Sequence, residues 1–136
     1  MNVLVDTSVW SLALRRDAPP NLPEVRELRK SLESGSACCT GLVLQELLQG
    51  FSKPKANEQI VSYFSALPLL VPDRDDHIHA AELRNRCRRK GVQLGTIDAL
   101  LAQLCMRYEL TMLTTDRDFH HIAAVVPFSV WGQDTA

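Results

Sequence analysis

The chain holds no C-x-x-C pair. Its four cysteines include the adjacent Cys38 and Cys39, a spacing poorly suited to a zinc site. With Cys87 and Cys105 they read as reduced structural thiols, because free cysteine in apolar or helical surroundings behaves as a small hydrophobe. No apolar run approaches the ~18 residues that a membrane span needs. The N-terminus has neither a basic start nor a long apolar stretch, since Asp6 interrupts it early. A soluble, cytoplasmic protein without membrane contact is therefore expected. Charge bias is missing too: 15 Lys and Arg against 16 Asp and Glu give a formal net charge of -1. Nothing in that total demands a polyanionic partner, but opposed patches on one surface leave nucleic acid open. Internal repeats, low-complexity segments and linkers are absent, as is any serine–histidine or cysteine–histidine arrangement. His77 and His79, two apart, do not share a helix face, and His120-His121 lacks helical ligand spacing, so all four are expected to be structural or exposed.

What is present is an ordinary globular composition, 46% hydrophobic and 23% charged over 136 residues, enough for one domain with a real core. The chain opens on Val3-Leu4-Val5, a continuous apolar run of the kind covered on both faces in a parallel sheet, and runs straight into Asp6-Thr7-Ser8. A short helix is expected through about Leu14, broken by Arg15-Arg16-Asp17-Ala18-Pro19-Pro20. Pro23 starts another that presents Val25, Leu28 and Leu32 on one face and ends at Ser34-Gly35-Ser36. Ala37 to Thr40 reads as a buried strand, Gly41 as a turn, and Leu42 to Gly50 as a helix. Lys53-Pro54-Lys55 reads as a loop, followed by a helix from about Asn57 to Ala66 burying Ile60, Val61 and Phe64. Leu67 to Val71 is a short strand. Asp73 to Asp76 caps a helix through about Lys90, with Ile78, Ala81 and Leu83 on its apolar side, and Gly91 stops it. Thr96 then caps a helix that is apolar nearly all round and so belongs at the centre. Leu110 to Thr114 is a strand, Thr115 to Phe119 its exit loop, and Val125-Val126 the last parallel strand, with edge or tail from Pro127. Strands alternating with helices predict a single α/β domain with a parallel sheet.

Parallel strands deliver their carboxyl ends to one rim, where open α/β sheets place ligands. Asp6 ends the first strand, and Asp116 and Asp118 follow the fourth. Glu46 lies about one turn into the helix after the second, and Asp98 opens the most buried helix. Crowded carboxylates repel and raise one another's pKa unless a cation lies among them. Mg²⁺ suits such a site, because it binds through a few carboxylates while keeping waters and substrate phosphate oxygens. The implied chemistry is hydrolysis of a phosphodiester. Each acid also has a plainer reading: Asp6 and Asp98 as helix-end acids, Glu46 as a solvated helix residue, Asp118 as a turn cap.

In these motifs the sequence resembles the PIN-domain ribonucleases: Val5-Asp6-Thr7-Ser8, Glu46, Gly95-Thr96-Ile97-Asp98-Ala99-Leu100-Leu101-Ala102, and Leu113-Thr114-Thr115-Asp116-Arg117-Asp118-Phe119. Length and motif order are similar to the VapC toxins of toxin–antitoxin pairs. The resemblance implies one PIN domain over residues 1–136, with a three-layer α/β/α fold and a central, mainly parallel sheet of four to five strands. It implies a metal-dependent endoribonuclease in which Asp6, Glu46, Asp98 and Asp116 are the catalytic acids that hold Mg²⁺ or Mn²⁺. Asp118 matches a fifth, less constant position, and Thr7, Ser8 and Thr115 would orient the carboxylates. Implied partners are an RNA substrate, a small VapB-type antitoxin and a second copy of the chain.

Two basic groups are candidate RNA contacts, Arg84 and Arg88 on one helix face and Arg15 with Arg16 after the first helix. The plainer reading of Arg84 and Arg88 is a solvated face favoured by the helix dipole. Leu47, Leu48, Phe51, Val61 and Phe64 are core candidates that could also meet a partner. Competing readings fit less well. A haloacid-dehalogenase-like phosphotransferase wants Asp-x-Asp, and position 8 is Ser. A response-regulator receiver wants a lysine on a late strand, and Leu110 to Thr115 has none. A nuclease of RNA processing outside a toxin–antitoxin pair remains open, whereas a non-catalytic binding module would show a degraded acidic set.

Overall fold

The computed structural model describes residues 1–15 and 21–133. The expected break at Arg16 to Pro20, and with it the Arg16 part of the basic patch, lies outside the described residues. Along the chain run β1 (Val3–Val5), α1 (Thr7–Leu14), α2 (Pro23–Ser34), β2 (Ala37–Thr40), α3 (Gly41–Gly50), α4 (Pro54–Phe64), β3 (Leu69–Leu70), α5 (Arg74–Arg89), α6 (Thr96–Arg107), β4 (Thr111–Leu113), α7 (Asp118–Ala123) and β5 (Ser129–Val130). Every strand pairing is parallel, and the sheet order is β3-β2-β1-β4-β5.

β1 sits in the middle, and its three residues are fully buried, as a strand covered on both faces must be. From β1 the chain steps outward to β2 and β3, crosses back to β4 on the other flank of β1, and continues outward to β5. Right-handed crossovers then place α1 to α4 on one face and α5 to α7 on the other. The packing agrees, with α1 against α2 and α3, α3 against α4, and α6 between α5 and α7. This is the expected three-layer α/β/α architecture. The direction of winding reverses between β1 and β4, which opens a crevice beyond their carboxyl ends. No helix among the described residues is long and apolar enough to cross a membrane.

Several local expectations are corrected. Pro54 is not in a loop but is the first helical residue of α4, where its missing N–H costs nothing. Gly41 begins α3 rather than forming a turn, because Thr40 Oγ1 accepts the Val43 N–H at 3.2 Å and caps the helix. The N-cap of α6 is Gly95, and Thr96 is already helical. The last strand is Ser129–Val130 instead of Val125-Val126. The N–H groups of both valines bond back to the Ile122 carbonyl, at 2.9 and 3.1 Å, so neither is free for a ladder. Three apolar faces also shift. On α5 the buried set is Asp76, Ala80, Leu83 and Cys87, an i, i+4, i+7, i+11 stripe that leaves Ile78 49% exposed and Ala81 outside. On α4 Ile60 and Phe64 are buried while Val61 is 53% exposed, and on α2 Leu32 gives way to the buried Ser31. Leu47 and Phe64 are core; Leu48 and Phe51 are half-buried against it.

All four cysteines are free thiols. Burial raises the pKa of each, that of Cys39 to about 12, so they remain inert packing groups near neutral pH.

The buried polar residue of the α5 stripe ties the two longest helices of that layer together. Asp73 and Asp76 form a capping box, each side chain accepting the other's N–H at 2.9 Å. Arg107 of α6 donates to Asp76 Oδ2 and stands 3.3 Å from Asp73 Oδ2, and Gln103 reaches Asp76 Oδ1. Burial of Asp76, 1% exposed, would raise its pKa, but the Asp73 N–H, Gln103 and Arg107 outweigh it and hold the carboxyl below its ordinary value. A depressed carboxyl adds stability above its unfolded pKa and loses it as pH falls through the folded one. Asp76→Ala is expected to cost about 2–3 kcal/mol in urea unfolding at pH 7. The deficit should shrink below about pH 4. A variant as stable as wild type at neutral pH would refute this role.

Candidate active site

The register of β1 against β4 sets the site. Val3, Leu4 and Val5 face Thr111, Met112 and Leu113, and the Asp6 N–H continues the ladder to the Leu113 carbonyl at 2.9 Å. The next residues on the two strands are therefore neighbours: Asp6 and Thr114. The backbone of Asp6 opens α1, its carbonyl accepting the Val9 and Trp10 N–H groups, but its side chain makes no cap bond. Its Oδ2 accepts two hydroxyls instead, Thr114 Oγ1 at 2.8 Å and Ser8 Oγ at 2.9 Å. Asp6 is only 7% exposed. Among the described residues the one buried side-chain polar atom without a partner is Trp10 Nε1, so Asp6 Oδ1, which has no protein donor among the described bonds, reaches solvent.

The same pattern recurs at the other acids. Thr7 Oγ1 donates to Glu46 Oε1 at 2.9 Å, joining the first turn of α1 to the second turn of α3. Asp116 Oδ1 accepts the Asp118 N–H at 2.9 Å, and the Asp116 N–H is held by Thr114 Oγ1 at 2.9 Å. Ser8 Oγ accepts the Thr115 N–H at 3.0 Å and lies 3.3 Å from Thr114 Oγ1. Three carboxylates thus have one oxygen fixed by a protein donor and a second without one among the described bonds. The fourth, Asp98, lies in the first turn of α6 and folds back over Gly95, where a Cβ would stand 3.7 Å from its Oδ2.

The electrostatics show that these groups share one place. The Asp98 carboxyl is pushed up to about 6, first by burial and then by the negative charge of Asp6, Asp116, Glu46 and Asp118. None of the described ion pairs involves any of the five acids. All their donors are carboxylate oxygens, the set that hard divalent cations prefer. Among the described residues no three metal-capable groups stand in a ligating array.

Asp6, Glu46, Asp98, Asp116 and Asp118 are thus brought together, with the exposed Asp118 contributing least to the field on Asp98. Thr7 and Ser8 donate their hydroxyls to Glu46 and Asp6, and the start of α1 has no side-chain cap. The expectation for Thr115 is corrected. Thr115 contributes its backbone N–H, and the hydroxyl expected from it comes from Thr114, which the sequence reading passed over. The available signal was register: Thr114 is the β4-side neighbour of Asp6. Arg84 Nε donates to the Leu94 carbonyl at 2.8 Å and so braces the turn that leads to Asp98, while Arg88 bonds Asn85 Oδ1 at 3.1 Å. Arg15 is the exposed C-cap of α1, at the far end of that helix from Asp6.

An all-parallel α/β domain with an unpaired carboxylate cluster at its winding reversal defines the class: the chain belongs to the PIN-domain family, whose model matches residues 3–125. Among its relatives are the tRNA(fMet)-specific endonuclease VapC of Salmonella typhimurium, 28% identical over 92% of this chain and 95% of that one, and a VapC ribonuclease of Mycobacterium bovis, 30% identical over 90% and 92%. The fold matches VapBC2 of Rickettsia felis, solved with a promoter DNA fragment, at TM-score 0.74 and 22% identity over 98% of this chain and 100% of that one. It also matches FitAcB of Neisseria gonorrhoeae at TM-score 0.72 and 21% identity, over 96% of each chain.

Proposed function

We propose that this chain, as a single PIN domain over residues 1–136, is a divalent-metal-dependent endoribonuclease and the cytoplasmic toxin of a toxin–antitoxin pair. Its partners are RNA, a small VapB-type antitoxin and a second copy of itself. The observation that carries the enzymatic part is the convergence of Asp6, Glu46, Asp98 and Asp116 from separate elements, without a described counter-charge. The toxin part is supported by relatives that are VapC ribonucleases along nearly their whole length and by structural neighbours that are VapBC toxin–antitoxin complexes.

Asp6, Asp98 and Asp116, with Glu46, are the residues proposed to hold Mg²⁺ or Mn²⁺, and Asp118 is the fifth acid in the same field. Such a cation, when bound, supplies positive charge for phosphate oxygens and lowers the pKa of water. The chain's own residues do the rest. Ser8 and Thr114 fix one oxygen of Asp6, Thr7 fixes one of Glu46, and the Asp118 N–H fixes one of Asp116. Each carboxylate therefore keeps its orientation while its second oxygen is available, which limits the reorganisation needed during the reaction. Arg84 holds the turn before α6, which sets where Asp98 stands.

A single-stranded RNA incubated with the protein is expected to be cut internally with Mg²⁺ or Mn²⁺ and left whole with EDTA. Cleavage that persists in EDTA would overturn the metal-dependent reading.

A further inference from the structure

A large cavity lies away from the acids, at the far ends of α1, which Asp6 opens, and of α3, which carries Glu46. It measures about 640 Å³ and is bordered by Leu14 and Arg15 from the end of α1 and by Phe51, Lys53, Lys55 and Ala56 around the α3–α4 turn. Leu14 is seven residues beyond Thr7, and Gly50, which also lines the cavity, is four beyond Glu46. Those spacings return to the same helix face. Since α1 and α3 pack on each other, the cavity lies beyond the Thr7–Glu46 hydrogen bond, about 6 Å on along α3 and about 10 Å on along α1 at 1.5 Å per residue. Two to three stacked nucleotides at about 3.4 Å each span that distance.

The lining has an apolar floor and a cationic rim. Leu14, Phe51 and Ala56 are half-buried, whereas Arg15, Lys53 and Lys55 are exposed and belong to none of the described ion pairs. The turn that carries the two lysines is held in place: Asn57 donates its side-chain amide to the Phe51 carbonyl, and its own N–H bonds the Lys53 carbonyl at 3.0 Å. A half-buried aromatic ring beside exposed cations is the arrangement that binds a single nucleic-acid strand, bases stacking on the ring and phosphates meeting the charges.

We infer that this cavity is a distal subsite for a single-stranded stretch of the RNA substrate. Arg15, Lys53 and Lys55 take backbone phosphates about two to three nucleotides from the acids, and Phe51 takes a base. The inference rests on the RNA-cleaving reading and names the residues that position its substrate.

The test separates the two by measuring binding in EDTA, where no cleavage is expected. A fluorescent twelve-nucleotide single-stranded RNA is titrated with wild type, with Lys53→Gln/Lys55→Gln, and with Lys30→Gln/Lys90→Gln, which removes the same charge elsewhere. The first variant should bind roughly tenfold more weakly at 0.1 M salt and lower the log–log salt slope by about 1.4, for two lost phosphate contacts. The control pair should bind as wild type does. Equal binding by Lys53→Gln/Lys55→Gln overturns the subsite, whether or not the wild type cuts RNA. So does an equal loss in both double variants, which would mean diffuse charge. A wild type that binds RNA through Lys53 and Lys55 yet never cuts it would overturn the nuclease reading and leave the subsite standing.

Discussion

Asp98→Asn is expected to abolish RNA cleavage and, at the same time, to make the metal-free protein more stable. The loss of activity should be at least about a thousandfold, roughly 4 kcal/mol of transition-state stabilisation, with Asp6→Asn behaving alike. The gain in stability follows from the same cluster. Asp98 titrates at about 6 in the fold, pushed up by burial and by Asp6, Asp116, Glu46 and Asp118, against about 4 in an unfolded chain. The folded state therefore binds the proton more tightly, and stability falls as pH rises from about 4 to about 6. Above that window the whole penalty is present, and asparagine removes it. The carboxyl is only half-buried, so solvent screening keeps the gain to about 1 kcal/mol or less, or up to about 3 °C in Tm. Thermal melts with a chelator at pH 7.5 should place Asp98→Asn above wild type, and melts below pH 4 should coincide. Adding Mg²⁺ or Mn²⁺ should raise the Tm of wild type more than that of the variant. A variant less stable than wild type at pH 7.5 with chelator would contradict the repulsion argued from the geometry, because a carboxyl that helped the metal-free fold would have to be paired.

The sequence revealed the acids better than what holds them. Asp6 was legible because an apolar run such as Val3-Leu4-Val5 has one physical use, a strand buried on both faces, and the residue after it must lie at a sheet end. Asp98 was legible for a related reason: a charge at the mouth of a helix apolar nearly all round needs an explanation beyond the dipole. Thr114 was not, because Thr114 and Thr115 are chemically identical in the sequence. Only the β1–β4 register decides which of them stands beside Asp6. The α5 stripe failed by a similar route. Ile78 is more apolar than Asp76, but the helix face is set by Ala80, Leu83 and Cys87, and Asp76 lies on that face, where Arg107 compensates its charge. Lys53-Pro54-Lys55 reads as a loop from composition, yet Pro54 is a first-turn proline. The consequence reaches beyond an element boundary, since it fixes both lysines at one edge of the large cavity.

Thr114 offers the sharpest test of positioning. Its hydroxyl donates to Asp6 Oδ2 at 2.8 Å, accepts the Asp116 N–H at 2.9 Å, and is 4% exposed between the two strands whose ends make the crevice. One group thus orients two proposed ligands. Thr114→Val keeps the volume and removes the hydroxyl, leaving Asp6 with Ser8 alone and the Asp116 N–H without its partner. Loss of an outer-shell hydrogen bond of this kind lowers metal affinity or activity about 10- to 100-fold. The unpaired N–H should also cost about 1–3 kcal/mol of stability. Packing alone would move the second quantity and not the first, so the decisive measurement is the Mg²⁺ or Mn²⁺ concentration at half-maximal cleavage with RNA saturating. That midpoint should rise by one to two orders of magnitude in Thr114→Val. It should return close to wild type in Thr114→Ser, which restores the hydroxyl and leaves out only the methyl. A midpoint unchanged in Thr114→Val, with only the Tm lowered, would reduce Thr114 to a core residue and leave the orientation of Asp6 to Ser8.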